Sequence, residues 1–268
     1  MKENTLAVKD ISLHRQGFQL KSINAEFPPG RITAIVGPNG SGKSTLLKTI
    51  TRLIRIDAGE ILIHGKPASA FSPRQLARHI SMLPQTRDSL PDLTVQELVA
   101  YGRTPYKKLF QQRHTREDNQ AVEFALDAVG MSRHAERLFY TLSGGEQQRA
   151  RIAMALAQGT DILLLDEPTT YLDIAHQLDI LNMLKRINEQ WEITIVMVLH
   201  DLQQAAAYCH HMIAMKHGVV AAADSPQVLL TPAFLKEIYE IDANVAVIDG
   251  YPLIIPVTNL NKPGGIQK

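Results

Sequence analysis

Lys43 closes a glycine-rich run, Gly37-Pro38-Asn39-Gly40-Ser41-Gly42, and is followed by Ser44. The spacing matches the phosphate-binding pattern G-x-x-x-x-G-K-[ST]. Glycines let backbone N–H groups curl around phosphate oxygens, and a helix starting just behind them adds a favourable dipole. At this spacing Lys43 supplies a point charge to the β and γ phosphates, and the Ser44 hydroxyl can ligate Mg²⁺. A chance match occurs in on the order of one in a hundred chains of ordinary composition. The order G-x-G-x-x-G never occurs, so the glycines are not a dinucleotide fingerprint.

A second group of residues suits the same chemistry. Ile162-Leu-Leu-Leu-Asp166-Glu167 is an apolar run ending in two acids, with Pro168 behind them. Beside a phosphate cradle, Asp166 is suited to organising Mg²⁺, directly or through its waters. Glu167 then faces the γ-phosphate side and can accept a proton from attacking water. The blander reading is two surface acids at a strand end. His200 follows the apolar run Ile193–Leu199 in the same way; alone it is a structural histidine, but beside the other two strands it can reach a γ-phosphate. Ser143 and Glu146 form a capping box, and the intervening Gly144 and Gly145 leave free N–H groups at a helix start, where an anion can bind.

These residues need a frame. Ile32–Val36, Ile162–Leu165 and Ile193–Leu199 are short runs rich in Ile, Val and Leu without polar alternation, as in strands buried on both faces of a parallel sheet. Thr45–Ile54 carries apolar residues at helical spacing, so strand, glycine turn and helix open a βαβ architecture. From about Thr94 to Ala157 the spacing predicts helices over Val95–Tyr101, Thr115–Val129 and Glu146–Ala157. A helical lobe inserted into an α/β core accounts for this. The tail predicts a helix over Thr231–Tyr239 and a hairpin around Asp249–Pro252.

Composition narrows the function classes. The chain has 268 residues, 45% of them hydrophobic, enough for one core with a smaller attached lobe. A net charge of +1 provides no basic field for nucleic acid. The single cysteine, Cys209, rules out an intrachain disulfide and reads as a small buried hydrophobe. Met1–Asp10 lacks the apolar segment of a signal peptide, and no stretch approaches the roughly 18 apolar residues of a spanning helix. The chain is therefore expected to be water-soluble and to reach a membrane only through a partner.

Leu142-Ser-Gly-Gly-Glu-Gln-Gln-Arg149 resembles the signature motif of ATP-binding-cassette (ABC) ATPases. The phosphate cradle, Gln85, the signature, Asp166-Glu167, Asp173 and His200 occur in that family's order, and the resemblance covers about residues 1 to 240. It implies an α/β fold: a P-loop NTPase core with a RecA-like parallel sheet, an N-terminal antiparallel β portion and an inserted helical subdomain. The expected boundaries are core 1–86 and 159–240, helical subdomain 87–158, and C-terminal extension 241–268. ATP and Mg²⁺ are the implied cofactors. Gly37, Pro38, Asn39, Gly40, Ser41, Gly42, Lys43, Ser44 and Thr45 are implied to hold nucleotide; Ser44, Gln85 and Asp166 the metal; and Glu167, His200 and Lys43 to carry catalysis. Gln85 resembles the Q-loop glutamine that senses Mg²⁺ and nucleotide, and the following Thr86–Leu93 is expected to bend.

In this family Ser143, Gly144 and Gly145 of one subunit cover the ATP of its partner, and Asp173 crosses between subunits. One chain thus holds two half-sites. An aromatic residue upstream of the cradle stacks on adenine; the ungapped position falls near His14, while the nearest aromatic is Phe18, and the sequence does not choose between them.

The finer resemblance, through Asp166–Gln177 and Tyr101–Phe110, is to importer ATPases for ferric siderophores, with vitamin B12 and haem importers close by. The implied assembly is a homodimer of this chain, two integral membrane permease subunits and an extracytoplasmic substrate-binding protein, on the cytoplasmic face of the cell membrane, with no nucleic acid. A soluble ABC ATPase acting on ribosomes or nucleic acid is the competing class; it calls for tandem cassettes or a long coiled coil, and neither is present. A non-hydrolysing nucleotide-binding regulator is disfavoured by Glu167 and His200.

Overall fold

The computed structural model describes residues 5–15, 17–85, 92–107 and 115–257. Its strands are β1 (Leu6–Arg15), β2 (Phe18–Phe27), β3 (Ile32–Val36), β4 (Ala58–Ile63), β5 (Lys66–Pro67), β6 (Ile80–Leu83), β7 (Ile162–Asp166), β8 (Thr194–Val198), β9 (His211–Lys216), β10 (Val219–Asp224), β11 (Ala243–Ile248) and β12 (Tyr251–Pro256). The α-helices are α1 (Lys43–Ile50), α2 (Pro73–Leu76), α3 (Val95–Ala100), α4 (Arg116–Ala128), α5 (Gly144–Ala157), α6 (Ile174–Trp191), α7 (Leu202–Tyr208), α8 (Pro226–Leu229) and α9 (Pro232–Tyr239). The expected bend over Thr86–Leu93 falls largely outside the described residues, as do Lys108, Leu109 and Phe110.

The central sheet runs β10-β9-β3-β8-β7-β6, with every pairing parallel except the edge strand β10. Its side chains alternate between two cores. Ile32, Ala34, Leu163, Leu165, Ile195 and Met197 face a layer of helices. Ile35, Ile162, Leu164, Val196 and Val198 face α1 and the antiparallel sheet β2-β1-β4-β5. Both faces are thus buried, which is why β3, β7 and β8 read as unbroken apolar runs.

Between the adjacent parallel strands β6 and β7 the chain departs into α3, α4 and α5, which pack on one another. Each opens with a capping box: Thr94 with Glu97, Thr115 with Asp118 and Ser143 with Glu146. Arg103 and Asp118 pair at 2.9 Å inside this lobe, both buried. After α9, the hairpin β11-β12 folds back, and Gln203 on α7 donates to the Pro252 carbonyl at 3.2 Å.

Most element ends fall within two residues of expectation, and α1 departs furthest. The helix expected over Thr45–Ile54 spans Lys43–Ile50. Thr51 Oγ1 donates back to the Leu47 and Lys48 carbonyls, Arg52 turns left-handed at φ 59°, and Leu53 is left 71% exposed. Apolar spacing alone could not register that local hydroxyl stop.

Because β3, β8, β7 and β6 are parallel neighbours in that order, their C-terminal ends lie along one edge. In open α/β sheets that edge is where ligands bind.

Candidate active site

The cradle lies between β3 and α1. Gly37, Gly40 and Gly42 take φ values of 141°, 77° and 106°. At Gly37 the backbone also runs against another strand: a Cβ there would stand 2.0 Å from the Met215 carbonyl oxygen. The Lys43 ammonium is buried and donates to the cradle's own carbonyls, Gly37 O at 2.9 Å and Pro38 O at 3.0 Å. A buried ammonium requires acceptors; phosphate oxygens are better ones, so the present arrangement suits exchange. Ser41 Oγ is buried with no hydrogen-bond partner among the described residues. An unsatisfied hydroxyl, a converging backbone and a buried cation all fit an incoming polyphosphate. Desolvation lowers the Lys43 pKa, opposed by the charges of Glu167 and Asp166.

Ser44 Oγ donates to Asp166 Oδ1 at 2.7 Å. This brings together two oxygen donors of the kind that Mg²⁺ takes. Asp166 is buried, and desolvation raises its pKa, with the Ser44 hydrogen bond opposing and the Glu167 charge adding.

Glu167 is the next residue and takes φ 55°, uncommon for a side-chain-bearing residue. The turn fixes its carboxylate among three partners. Oε2 accepts from Gln85 Nε2 at 2.5 Å and from Thr170 Oγ1 at 2.9 Å, and Oε1 lies 2.5 Å from His200 Nε2. Gln85 follows β6, Glu167 follows β7 and His200 follows β8, so three neighbouring strand ends converge on one carboxylate. Beside it, a cavity of about 150 Å³ is lined by Glu167, Thr169, Thr170, Gln177, His200 and Gln204. That is room enough for water next to the carboxylate.

Ser143 caps α5: its Oγ accepts from Glu146 N at 3.3 Å, and its N–H donates to Glu146 Oε2 at 2.8 Å. These bonds hold the Glu146 carboxyl below its usual pKa range. A Cβ on Gly145 would meet the His176 ring at 2.4 Å. His176 in turn touches Asp173, whose Oδ1 accepts from His176 N at 2.9 Å and lies 2.8 Å from its Nδ1. Ser143, Gly144, Gly145 and Asp173 thus form a second group, linked through His176. Gln148 on α5 reaches toward the first group by donating to the Pro168 carbonyl at 2.9 Å.

Phe18 packs against the cradle, its Cζ 2.7 Å from where a Cβ on Gly42 would stand. His14 lies farther back on β1, paired with Gln19, its backbone N–H on Asp57 Oδ2 at 2.6 Å. Thr170, Gln148, His176 and Gln204 went unrecognised as site residues in the sequence. Three had a signal available: Thr170 and His176 lie inside the Asp166–Gln177 run, and Gln148 inside the signature. Gln204, which donates to Gln177 Oε1 at 2.7 Å, had none.

Comparison with known proteins places this geometry. The ABC transporter family model matches residues 20–170. The chain is 47% identical over 226 residues to the iron(3+)-hydroxamate import ATP-binding protein FhuC of Bacillus subtilis (strain 168), covering 84% of each chain. It is 43% identical over 239 residues to the ferric enterobactin transport ATP-binding protein FepC of Escherichia coli (strain K12), covering 88% of each. Among solved structures, a putative metal-chelate type ABC transporter in an inward-facing conformation aligns with TM-score 0.82 at 26% identity, over 95% of this chain and 98% of that one. A dimeric bacterial ABC transporter cassette aligns with TM-score 0.70 at 29% identity, over 82% and 98%. No described helix is long and apolar enough to cross a membrane. The chain belongs to the ABC transporter family, and it is an ATP-binding, ATP-hydrolysing subunit of that family.

Proposed function

We propose that this chain energises uptake of a ferric siderophore. In this reading it works as a homodimer on the cytoplasmic face of the cell membrane, beneath two permease subunits fed by an extracytoplasmic substrate-binding protein. The observation that carries the hydrolytic part is the convergence of Gln85, Thr170 and His200 on Glu167, next to the linked Lys43, Ser44 and Asp166. The cargo rests on the relatives, whose names specify iron(3+)-hydroxamate and ferric enterobactin.

Bound Mg²⁺ would supply charge stabilisation at the phosphates, and Ser44, Asp166 and Gln85 are the residues to hold it. Lys43 exchanges its bonds to Gly37 O and Pro38 O for phosphate oxygens. Glu167 accepts the proton of attacking water, once its contacts with Gln85 and His200 rearrange around nucleotide. His200 then faces the γ-phosphate. Ser143, Gly144 and Gly145 present N–H groups to nucleotide held by the partner's cradle, and Asp173 lies at the same subunit junction. Phe18, already packed on the cradle at Gly42, is the favoured stacking partner for adenine.

The test is uptake of labelled ferric siderophore by cells lacking this chain, with the wild type or Glu167→Gln returned. Restoration by the wild type alone supports the assignment. Unchanged uptake on deletion, with no second ATPase to substitute, overturns the cargo and leaves the ATPase standing; labelled cobalamin and haem are then the next cargoes to measure.

A further inference from the structure

At the opposite edge of the central sheet, three metal-capable side chains meet. A ring nitrogen of His64, one of His79 and a carboxylate oxygen of Asp161 all lie within 4.8 Å of one another. His64 Nε2 and Asp161 Oδ2 are 2.9 Å apart. We propose that His64, His79 and Asp161 form a binding site for one first-row divalent transition-metal ion of the zinc and iron(II) class.

The donors come from three separate segments, each with its backbone tied down. His64 stands in the turn between β4 and β5 at φ 50°, and its N–H donates to Thr5 O at 3.0 Å. His79 directly precedes β6, and its N–H donates to Leu76 O at 2.9 Å. Asp161 directly precedes β7, and its carbonyl accepts from Thr194 N at 2.9 Å. Anchored backbones with partly exposed side chains leave the His64 ring and the Asp161 carboxylate free to adjust by rotation. A metal–nitrogen bond of about 2.0–2.1 Å puts tetrahedral ligands ~3.4 Å apart. The His64–Asp161 pair already lies inside that spacing, and a His79 ring nitrogen lies within 4.8 Å of both.

A simple ion pair would explain His64 and Asp161, but not His79. Its ring lies edge-on to His64, with centroids 5.5 Å apart, and is backed by Phe71 at 5.0 Å. The Phe71 contact limits the ways that imidazole can turn. Two imidazoles and one carboxylate suit zinc, cobalt, nickel or iron(II); magnesium and calcium prefer all-oxygen sites. Three protein ligands also leave positions open for water or an exogenous ligand.

The position carries a consequence. An ion here would join the starts of β6 and β7 to the β4–β5 turn. The far ends of the same two strands deliver Gln85 and Asp166-Glu167, roughly 17–20 Å away at about 3.3 Å per residue. The site is separate from the nucleotide residues and does not depend on the proposed cargo.

The experiment uses untagged, nucleotide-free full-length protein in excess Mg²⁺, present as a competitor for the oxygen donors at Ser44 and Asp166. Zn²⁺ is titrated calorimetrically, and Co²⁺ is titrated by visible absorption. The expected result is one saturable equivalent per chain, with cobalt bands of a mixed nitrogen and oxygen site. His79→Ala and Asp161→Asn should each weaken binding by about 10-fold or more, while both keep wild-type basal ATPase activity as evidence of folding. His14→Ala, which removes an exposed histidine elsewhere, should bind as wild type does. Absence of saturable binding, or isotherms unchanged in both His79→Ala and Asp161→Asn, overturns the proposal.

Discussion

Asp166 is a carboxylate taken out of water and set beside a second one, Glu167. Its raised pKa means that the folded protein holds this proton more tightly than the unfolded chain, whose aspartates titrate near 3.9. Ionising it therefore costs stability as pH rises from that value through the folded pKa, and the deficit persists above. Asp166→Asn escapes the cost. Nucleotide-free and Mg²⁺-free, it should melt above the wild type at pH 7, and the gap should close as pH falls through that window. The same variant should lose Mg²⁺-dependent hydrolysis, an exchange of function for stability. Thermal melts at several pH values, with ATPase assays alongside, check both. Cys209 gives a plainer case: burial pushes its thiol far up, so native protein should resist alkylation and react only on unfolding. The residue types at Lys43, Ser44, Asp166 and Glu167 were legible in sequence because each motif states its own chemistry. The contacts of Gln85 and His200 with Glu167 were not. They depend on β6, β7 and β8 being neighbours, which no local spacing records.

The elements read most clearly in sequence are those with a uniform environment. The strands β3, β7 and β8 are buried on both faces, so their apolar runs are unbroken. The helices α3, α4 and α5 announce themselves through periodicity, and α5 also through the Ser143–Glu146 capping box. The antiparallel sheet was legible only as a consequence of family resemblance, because β1 breaks its own alternation. Its register with β2 shifts between Val8 and Ile11 and again between Ile11 and Leu13, and each irregularity moves side chains to the other face. The C-terminal hairpin was legible through its turn: Asp249 and Gly250 both take positive φ, at 50° and 82°, as a two-residue hairpin turn requires. The β3–α1 junction yields a prediction at this scale. Gly37→Ala would place a methyl 2.0 Å from Met215 O at φ 141°. Backbone strain alone is worth on the order of 1–3 kcal/mol, and the clash adds to it. The variant should melt well below the wild type and fail to bind nucleotide; a labelled-nucleotide binding assay and a melt decide it. Binding at wild-type affinity would mean that the cradle does not need this backbone path.

At the scale of the whole molecule, one chain presents two groups of residues that complement each other without forming one site. The cradle and Glu167 lie at the strand ends, and Ser143, Gly144, Gly145 and Asp173 lie at the starts of α5 and α6. In the proposed dimer, two chains head to tail would bring each group against the partner's, and nucleotide would become part of the contact. The arrangement predicts complementation. Lys43→Ala should lose nucleotide binding and Ser143→Arg should lose hydrolysis, and mixing them should restore activity at the one composite site in which both halves are intact. The most direct measurement combines turnover with assembly for Glu167→Gln in Mg-ATP, by phosphate release and light scattering on the same sample. A positioned general base is worth about 10²–10⁴ in rate. The account predicts that turnover falls by that factor while ATP stays bound and the variant accumulates as a dimer. Turnover near the wild-type rate, or a variant that remains monomeric with ATP bound, would contradict it.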